Sequence, residues 1–158
     1  WSAGCSIGAE PYSVAIAMDM LKALDRVKII ASDIDEQALQ IAEKGSYFLK
    51  QLGKTRKEII HKYFLVEGED YHIIPEIKRT VTFKHHNLLT DPPYPDCHMI
   101  LCRNVFIYFK QETQEFLLGR FSEVLKRGGF LVIGSAEYIN NPARFGLTKS
   151  YNTIYQKE

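Results

Sequence analysis

Two rhythms of apolar and polar positions run along this chain. Short apolar runs closed by polar residues or glycine mark buried strands, and apolar positions returning at helical spacing mark helices. Residues 27–31, residues 81–86, "CHMILC" from Cys97 and "FLVI" from Phe130 are runs of the first kind. Trp1-Ser2-Ala3 reads as the last piece of a strand before a glycine-containing turn. Residues 13–24 are apolar on most sides, which predicts a helix packed on a sheet, with Pro11 in its first turn. Asp35 is placed to cap a helix over residues 36–44 that Gly45 ends. Residues 111–126 bring Leu117, Phe121, Val124 and Leu125 to one helical face, with Gly128-Gly129 as the stop. Strands and helices in alternation predict an α/β fold with a mostly parallel sheet flanked by helices.

The middle of the chain breaks this order. Residues 55–63 read as a short helix, and two β-rich runs then flank Glu67-Gly68-Glu69-Asp70, a hairpin signature. The expectation is a small antiparallel β insertion at about residues 64–83. Residues 148–156 read as a last strand, antiparallel at a sheet edge. With 158 residues, no internal repeat and no linker-like stretch, the expectation is one domain over residues 1–158.

Composition narrows the class. Hydrophobic residues make up 46% and charged ones 25%, ordinary for a soluble globular protein. No run is long and apolar enough to span a membrane, so membrane insertion is not expected. Cys5, Cys97 and Cys102 form no CxxC pair, which argues against a disulfide framework or structural zinc and for a reducing, cytoplasmic setting. A net charge of +1 supplies no electrostatic case for nucleic acid.

In open α/β sheets, ligands bind beyond the carboxyl ends of the strands. Those ends carry, in turn, Gly4, Gly8 and Glu10; Asp33; Asn87; Cys102-Arg103-Asn104; and Ser135-Ala136-Glu137. Asp33 lies 25 positions after Gly8, close to the spacing at which a carboxylate takes ribose hydroxyls. Asp35 fits the capping role better, which leaves Asp33 for a ligand. The turn is Gly4-Cys5-Ser6-Ile7-Gly8 rather than GxGxxG, and Glu10 follows it. A pyrophosphate wants backbone N–H groups and no nearby anion, so Glu10 disfavours a dinucleotide. A ligand with an adenosine end and a cationic end suits that acid, and S-adenosylmethionine is such a ligand.

Taken in order, "WSAGCSIGAEPYS", "ASDID", "NLL", "LCRNVFIYF", "LKRGGFLVIGSAE" and "YNTIYQK" resemble the CheR-type methyltransferases over nearly the whole chain. The resemblance implies a Rossmann-like class I methyltransferase fold, S-adenosylmethionine as methyl donor and S-adenosylhomocysteine as product. It implies glutamate side chains on the cytoplasmic helices of chemotaxis receptors as the methyl acceptor. It further implies a cofactor site of Ala3, Gly4, Glu10, Asp33, Ile34, Asn87, Leu88, Cys102 and Arg103. Glu10 falls to the methionine part, Asp33 to the ribose, and Asn87 with Leu88 to the adenine. Arg103 and Tyr108 are implied at the methyl-transfer centre as catalytic residues, and no metal is implied.

This sequence departs from the family pattern at Ala9, where the family usually has an acid, at His98, where it has Asp, and at Ser135-Ala136 in place of His-Ser. The family's N-terminal helical domain and linking segment have no counterpart here, and the first strand is short. The expectation is a truncated methyltransferase domain of low activity on its own.

Other features read as structural. "DPPY", residues 91–94, resembles the motif of amino-group DNA methyltransferases, but it precedes an apolar strand instead of following one, so a proline turn is expected. His85 and His86 point to opposite faces of a strand and do not share a metal. Cys102 beside Arg103 reads as a small strand-end residue rather than a reactive thiol. Tyr108 has a second reading, as a core aromatic within "VFIYF". On sequence alone two other functions stay open: a cofactor-binding or regulatory module of this fold without activity, and a methyltransferase acting on nucleic acid or a small molecule.

Overall fold

The computed structural model describes residues 1–158. Along the chain run β1 (Ser2–Ala3), α1 (Ala9–Met20), β2 (Ile29–Asp33), α2 (Glu36–Lys44), β3 (Ser46–Phe48), α3 (Leu49–Leu52), α4 (Lys57–Tyr63), β4 (Phe64–Glu67), β5 (Asp70–Ile73) and α5 (Pro75–Lys78). Then come β6 (Val81–His85), β7 (Cys97–Cys102), α6 (Gln111–Val124), β8 (Leu125–Ile133), β9 (Leu147–Tyr151) and β10 (Ile154–Lys157). No helix is long and apolar enough to cross a membrane. The chain divides into two compact units, Cys5–His85 and Trp1–Gly4 with His86–Glu158.

In the unit Cys5–His85, β2 and β6 pair in parallel, from Ile29 opposite Val81 to Asp33 opposite His85. α2 forms where its caps dictate. The Asp35 carboxylate accepts hydrogen bonds from Gln37 N (2.9 Å) and Ala38 N (3.1 Å), and Gly45 ends the helix at φ 60°. Its buried stripe is Ala38, Leu39 and Ala42. α1 begins at Ala9, four residues before the apolar periodicity suggests, because Gly8 at φ 85° turns the chain directly into the helix. One face of α1 buries Tyr12, Ala15 and Ile16 in the core. A second face, with Ala9, Ser13, Ala17 and Met20, lines an apolar cavity of about 220 Å³ against Leu52 and Ile59. Two apolar faces explain why this helix shows no clear polar side in the sequence.

The insertion is an antiparallel sheet in the order β3-β5-β4. The hairpin of β4 and β5, with Glu67 opposite Asp70, falls where its turn residues place it. β3 pairs with β5 and corrects the expected boundaries: the inserted sheet runs over residues 46–73, while Val81–His85 belongs to the parallel pair. In β3 only Tyr47 is buried, so three residues give too short a pattern to read.

In the unit Trp1–Gly4 with His86–Glu158, β1, β7 and β8 run parallel, and β10 and β9 continue antiparallel in the order β1-β7-β8-β10-β9. α6 buries Leu117, Leu118 and Phe121. It ends at Val124, two residues before the expected end, because Leu125 already pairs with Cys97 as the start of β8. Gly128, at φ 76°, lies within that strand and does not stop the helix. The expected last strand is a hairpin of two strands, β9 and β10, closed around Asn152-Thr153.

Candidate functional site

β2 ends at Asp33 and delivers its carboxylate to the glycine turn. Ser6 N donates to Asp33 Oδ2 at 2.7 Å, and Asp35 N donates to Oδ1 at 3.0 Å. Cys5 N donates to Ser32 O at 2.9 Å, so the turn is stitched to the end of β2. Ser6 sits in the left-handed region at φ 48°, a conformation that costs a non-glycine residue about 1–2 kcal/mol. The charge-assisted bond to Asp33 offsets that strain. From the other side, the buried Tyr47 donates its hydroxyl to Ile7 O at 2.8 Å. At Gly8 a Cβ would come within 2.8 Å of the Ala42 Cβ, so the turn closes on α2 only without a side chain.

Glu10 falls in the first turn of α1, where the helix dipole favours a carboxylate. The Cys5 thiol senses both acids. Burial pushes its pKa up to about 12, and the charges of Asp33 and Glu10 add to the rise. This turn is therefore acidic. It can accept hydrogen bonds from ribose hydroxyls and favour a cation, and it would repel a phosphate. That donor set fits S-adenosylmethionine. Ile34, directly after Asp33, is 59% exposed and offers an apolar surface.

The other candidates lie in the second unit. Ala3 is fully buried in β1, so only its backbone can meet a ligand. Gly4 has φ 77°, and a Cβ there would lie 2.5 Å from Val105 Cγ2. Asn87 opens the loop between β6 and β7 and folds it into a turn: its Oδ1 accepts from Leu89 N at 3.0 Å, and its own N–H donates to Asp91 Oδ2 at 2.9 Å. Leu88 follows, half-buried. β7 ends at the buried Cys102, and the chain emerges at the exposed Arg103 and at Asn104, which is left-handed at φ 59°. Glu137, from the segment after β8, holds this exit in place. Its Oε2 accepts from Asn104 N at 3.0 Å and from Gly134 N at 2.6 Å, while Oε1 is buried without a hydrogen-bond partner.

Tyr108 closes a 3-10 turn over Phe106–Tyr108 and is 80% exposed. This overturns the core reading of Tyr108. Phe106 is the buried aromatic of "VFIYF", edge-on to Phe121 at 6.3 Å. The "DPPY" residues form irregular chain between β6 and β7, where Tyr94 packs edge-on against Trp1 at 5.1 Å.

The family model described as "CheR methyltransferase, SAM binding domain" matches residues 1–154. The chain belongs to the CheR methyltransferase family. This CheR-family chain is 38% identical over 157 residues to a chemotaxis protein methyltransferase of Listeria monocytogenes, covering 99% of the chain and 60% of that relative. It is 40% identical over 154 residues to the chemotaxis protein methyltransferase of Salmonella typhimurium, covering 91% of the chain and 53% of that relative. It thus spans less than two thirds of the length of either. Among solved structures, a TehB-like SAM-dependent methyltransferase from Corynebacterium glutamicum shares the fold, with a TM-score of 0.56 over 98% of this chain and 75% of that one at 13% identity. The fold is accordingly the Rossmann-like one of S-adenosylmethionine-dependent methyltransferases.

Sequence reasoning about the CheR-family chain gave no role to Ser6 or Arg120 and named Glu137 only among the residues at a strand end. Each acts through a hydrogen bond to a residue 27 to 33 positions away, and such a bond leaves no local pattern.

Proposed function

We propose that this CheR-family chain transfers a methyl group from S-adenosylmethionine to glutamate side chains on the cytoplasmic helices of chemotaxis receptors, within the cytoplasm. The observation that carries this reading is the acidic turn: Asp33 pinned to Ser6 N, with Glu10 near enough for both acids to act on Cys5. Residues 1–158 serve as the donor-binding domain. Glu10 would hold the methionine end, Asp33 the ribose, and Asn87 with Leu88 the adenine. Ala3, Gly4 and Cys102 would contribute backbone surface, and Ile34 apolar cover. The names of the Listeria and Salmonella relatives support the choice of acceptor.

When bound, the donor supplies a sulfonium-activated methyl carbon: the glutamate oxygen bonds to it as the carbon–sulfur bond breaks, the electron pair stays on sulfur, and a glutamyl methyl ester and S-adenosylhomocysteine result. A glutamate carboxylate, with a pKa of about 4.3, is already ionised at neutral pH, so the chain needs no general base. Its residues have to orient that carboxylate and exclude water. Arg103, exposed at the end of β7, would hold one carboxylate oxygen by charge-assisted hydrogen bonds and leave the other to react. Tyr108 is exposed as well, and its hydroxyl would orient the same group.

Labelled methyl donor, the full chain and receptor cytoplasmic fragments test the proposal. The expected product releases labelled methanol in mild alkali, as an ester does. Label that resists alkali, or that appears only on nucleic acid or small molecules, would overturn it. Arg103→Ala should cut transfer at least about tenfold with donor affinity within about threefold. Equal loss of both would reassign Arg103 to donor binding.

A further inference from the structure

We propose that Arg120 is a positioning residue that fixes the loop over residues 87–91 and so sets the preference for an adenine base; the inference rests on placing the adenosine end of the donor at Asn87 and Leu88. Arg120 projects from α6. Its Nη1 donates to Leu88 O at 2.7 Å and to Leu89 O at 3.0 Å, and its Nη2 donates to Asp91 O. Three carbonyls of one irregular loop thus converge on one guanidinium. These carbonyls lie between β6 and β7, outside the strand ladders that would otherwise satisfy them. The guanidinium also lies over the Phe116 ring, with Cζ 5.4 Å from the centroid, and Phe116 is one helical turn before it. The head of the side chain is therefore held from the helix as well as from the loop.

The consequence falls on a single peptide plane. Leu88 O is taken by Arg120, and the N–H of the same peptide, Leu89 N, is taken by Asn87 Oδ1 at 3.0 Å. Gripped at both ends, the plane cannot rotate, and it fixes which way the Asn87 amide faces. Asp91 returns the constraint by accepting from Asn87 N at 2.9 Å. Asn87 Oδ1 accepts from Leu89 N with one lone pair and keeps a second; held in this orientation, it can accept from an amino group at the 6-position of a purine and repel a carbonyl there. A loose loop would turn to pair with either. Lysine cannot replace the guanidinium here, because a single ammonium does not present a planar fork to three acceptors.

The test compares the wild-type full chain with Arg120→Lys and Arg120→Ala by calorimetric titration with S-adenosylhomocysteine and with its hypoxanthine counterpart, S-inosylhomocysteine. Circular dichroism of each variant establishes folding. The wild type should prefer the adenine ligand. Arg120→Lys should bind that ligand about tenfold more weakly, about 1.4 kcal/mol, while its affinity for the hypoxanthine ligand changes little, so that the ratio between the two collapses. A general loss of stability would weaken both ligands alike and leave the ratio intact. An unchanged ratio in a folded Arg120→Lys, with normal wild-type binding, would overturn the Arg120 assignment alone. A wild type that binds neither ligand would remove the placement of adenosine at this loop and the inference with it. Should Arg120→Ala not fold, the lysine variant and wild-type hydrogen exchange decide: Leu89 and Asp91 amides should exchange more slowly when the adenine ligand is bound, and unaltered exchange counts against the proposal.

Discussion

Removing the Glu137 carboxylate should loosen the strand ends that present Arg103. Its Oε2 is the shared acceptor for Asn104 N and Gly134 N, at 3.0 and 2.6 Å. In Glu137→Ala both N–H groups lose that acceptor. A buried donor left unsatisfied costs about 1–3 kcal/mol, and Gly134 is buried while Asn104 is exposed enough for water to replace part of its bond. The sum is about 2–4 kcal/mol. Glu137→Gln keeps an oxygen for both donors but loses the charge, and its new amide N–H₂ falls where Oε1 is already buried without a partner. Its cost is about 1–2 kcal/mol. Urea unfolding of the full chain should therefore rank wild type above Gln and Gln above Ala, with the slope unchanged. In amide spectra the Asn104 and Gly134 resonances should move furthest in the alanine variant. An alanine variant within about 0.5 kcal/mol of wild type, or a glutamine variant less stable than alanine, would refute the reasoning.

Gly8→Ala meets both a left-handed φ and the Ala42 Cβ at 2.8 Å, so it should destabilise by about 2–4 kcal/mol. A melting temperature equal to wild type would contradict this. Asp33→Asn can keep one of its two backbone N–H partners but turns a donor toward the other, and calorimetry should show weaker S-adenosylhomocysteine binding. Unaltered affinity would take Asp33 out of the site. The Cys5 thiol has an ordinary value of 9.0 and is raised to about 12 in the fold, so the folded chain keeps a proton that the unfolded chain gives up. Its contribution to stability is intact below about pH 9 and lost as pH climbs toward 12, and the raised Tyr12 and Tyr47 hydroxyls act in the same direction at higher pH. Thermal melts between pH 8 and 11 should show a falling melting temperature whose onset is flattened by Cys5→Ala, and a level profile would reject this account.

What could be read in the sequence was what local chemistry controls. α2 lies between its Asp35 cap and Gly45 because both devices act within a few residues. The turn at Glu67–Asp70 placed its hairpin for the same reason. The end of α6 was misplaced because tertiary pairing of Leu125 with Cys97 overrides a helical periodicity that continues past it. Of the candidate site, the acidic turn was legible from spacing and charge. The supports that orient it were not. Tyr47 reaches Ile7 O across 40 positions, and Glu137 reaches Asn104 N across 33. The exposure of Tyr108 depends on which aromatic of "VFIYF" the 3-10 turn points inward, which a uniformly apolar run does not reveal.

The order of strands also bears on how a nascent chain acquires this shape. Cys5–His85 is continuous in sequence, so its parallel pair and inserted sheet can close before residues 86–158 have been made. The other unit has to wait. Its first strand, Ser2–Ala3, needs Leu101, and its last, Ile154–Lys157, slots between β8 and β9. Until Ile154–Lys157 emerges, β8 and β9 both present an unpaired edge, and pauses in translation just short of it would expose the growing molecule to adhesion with its neighbours.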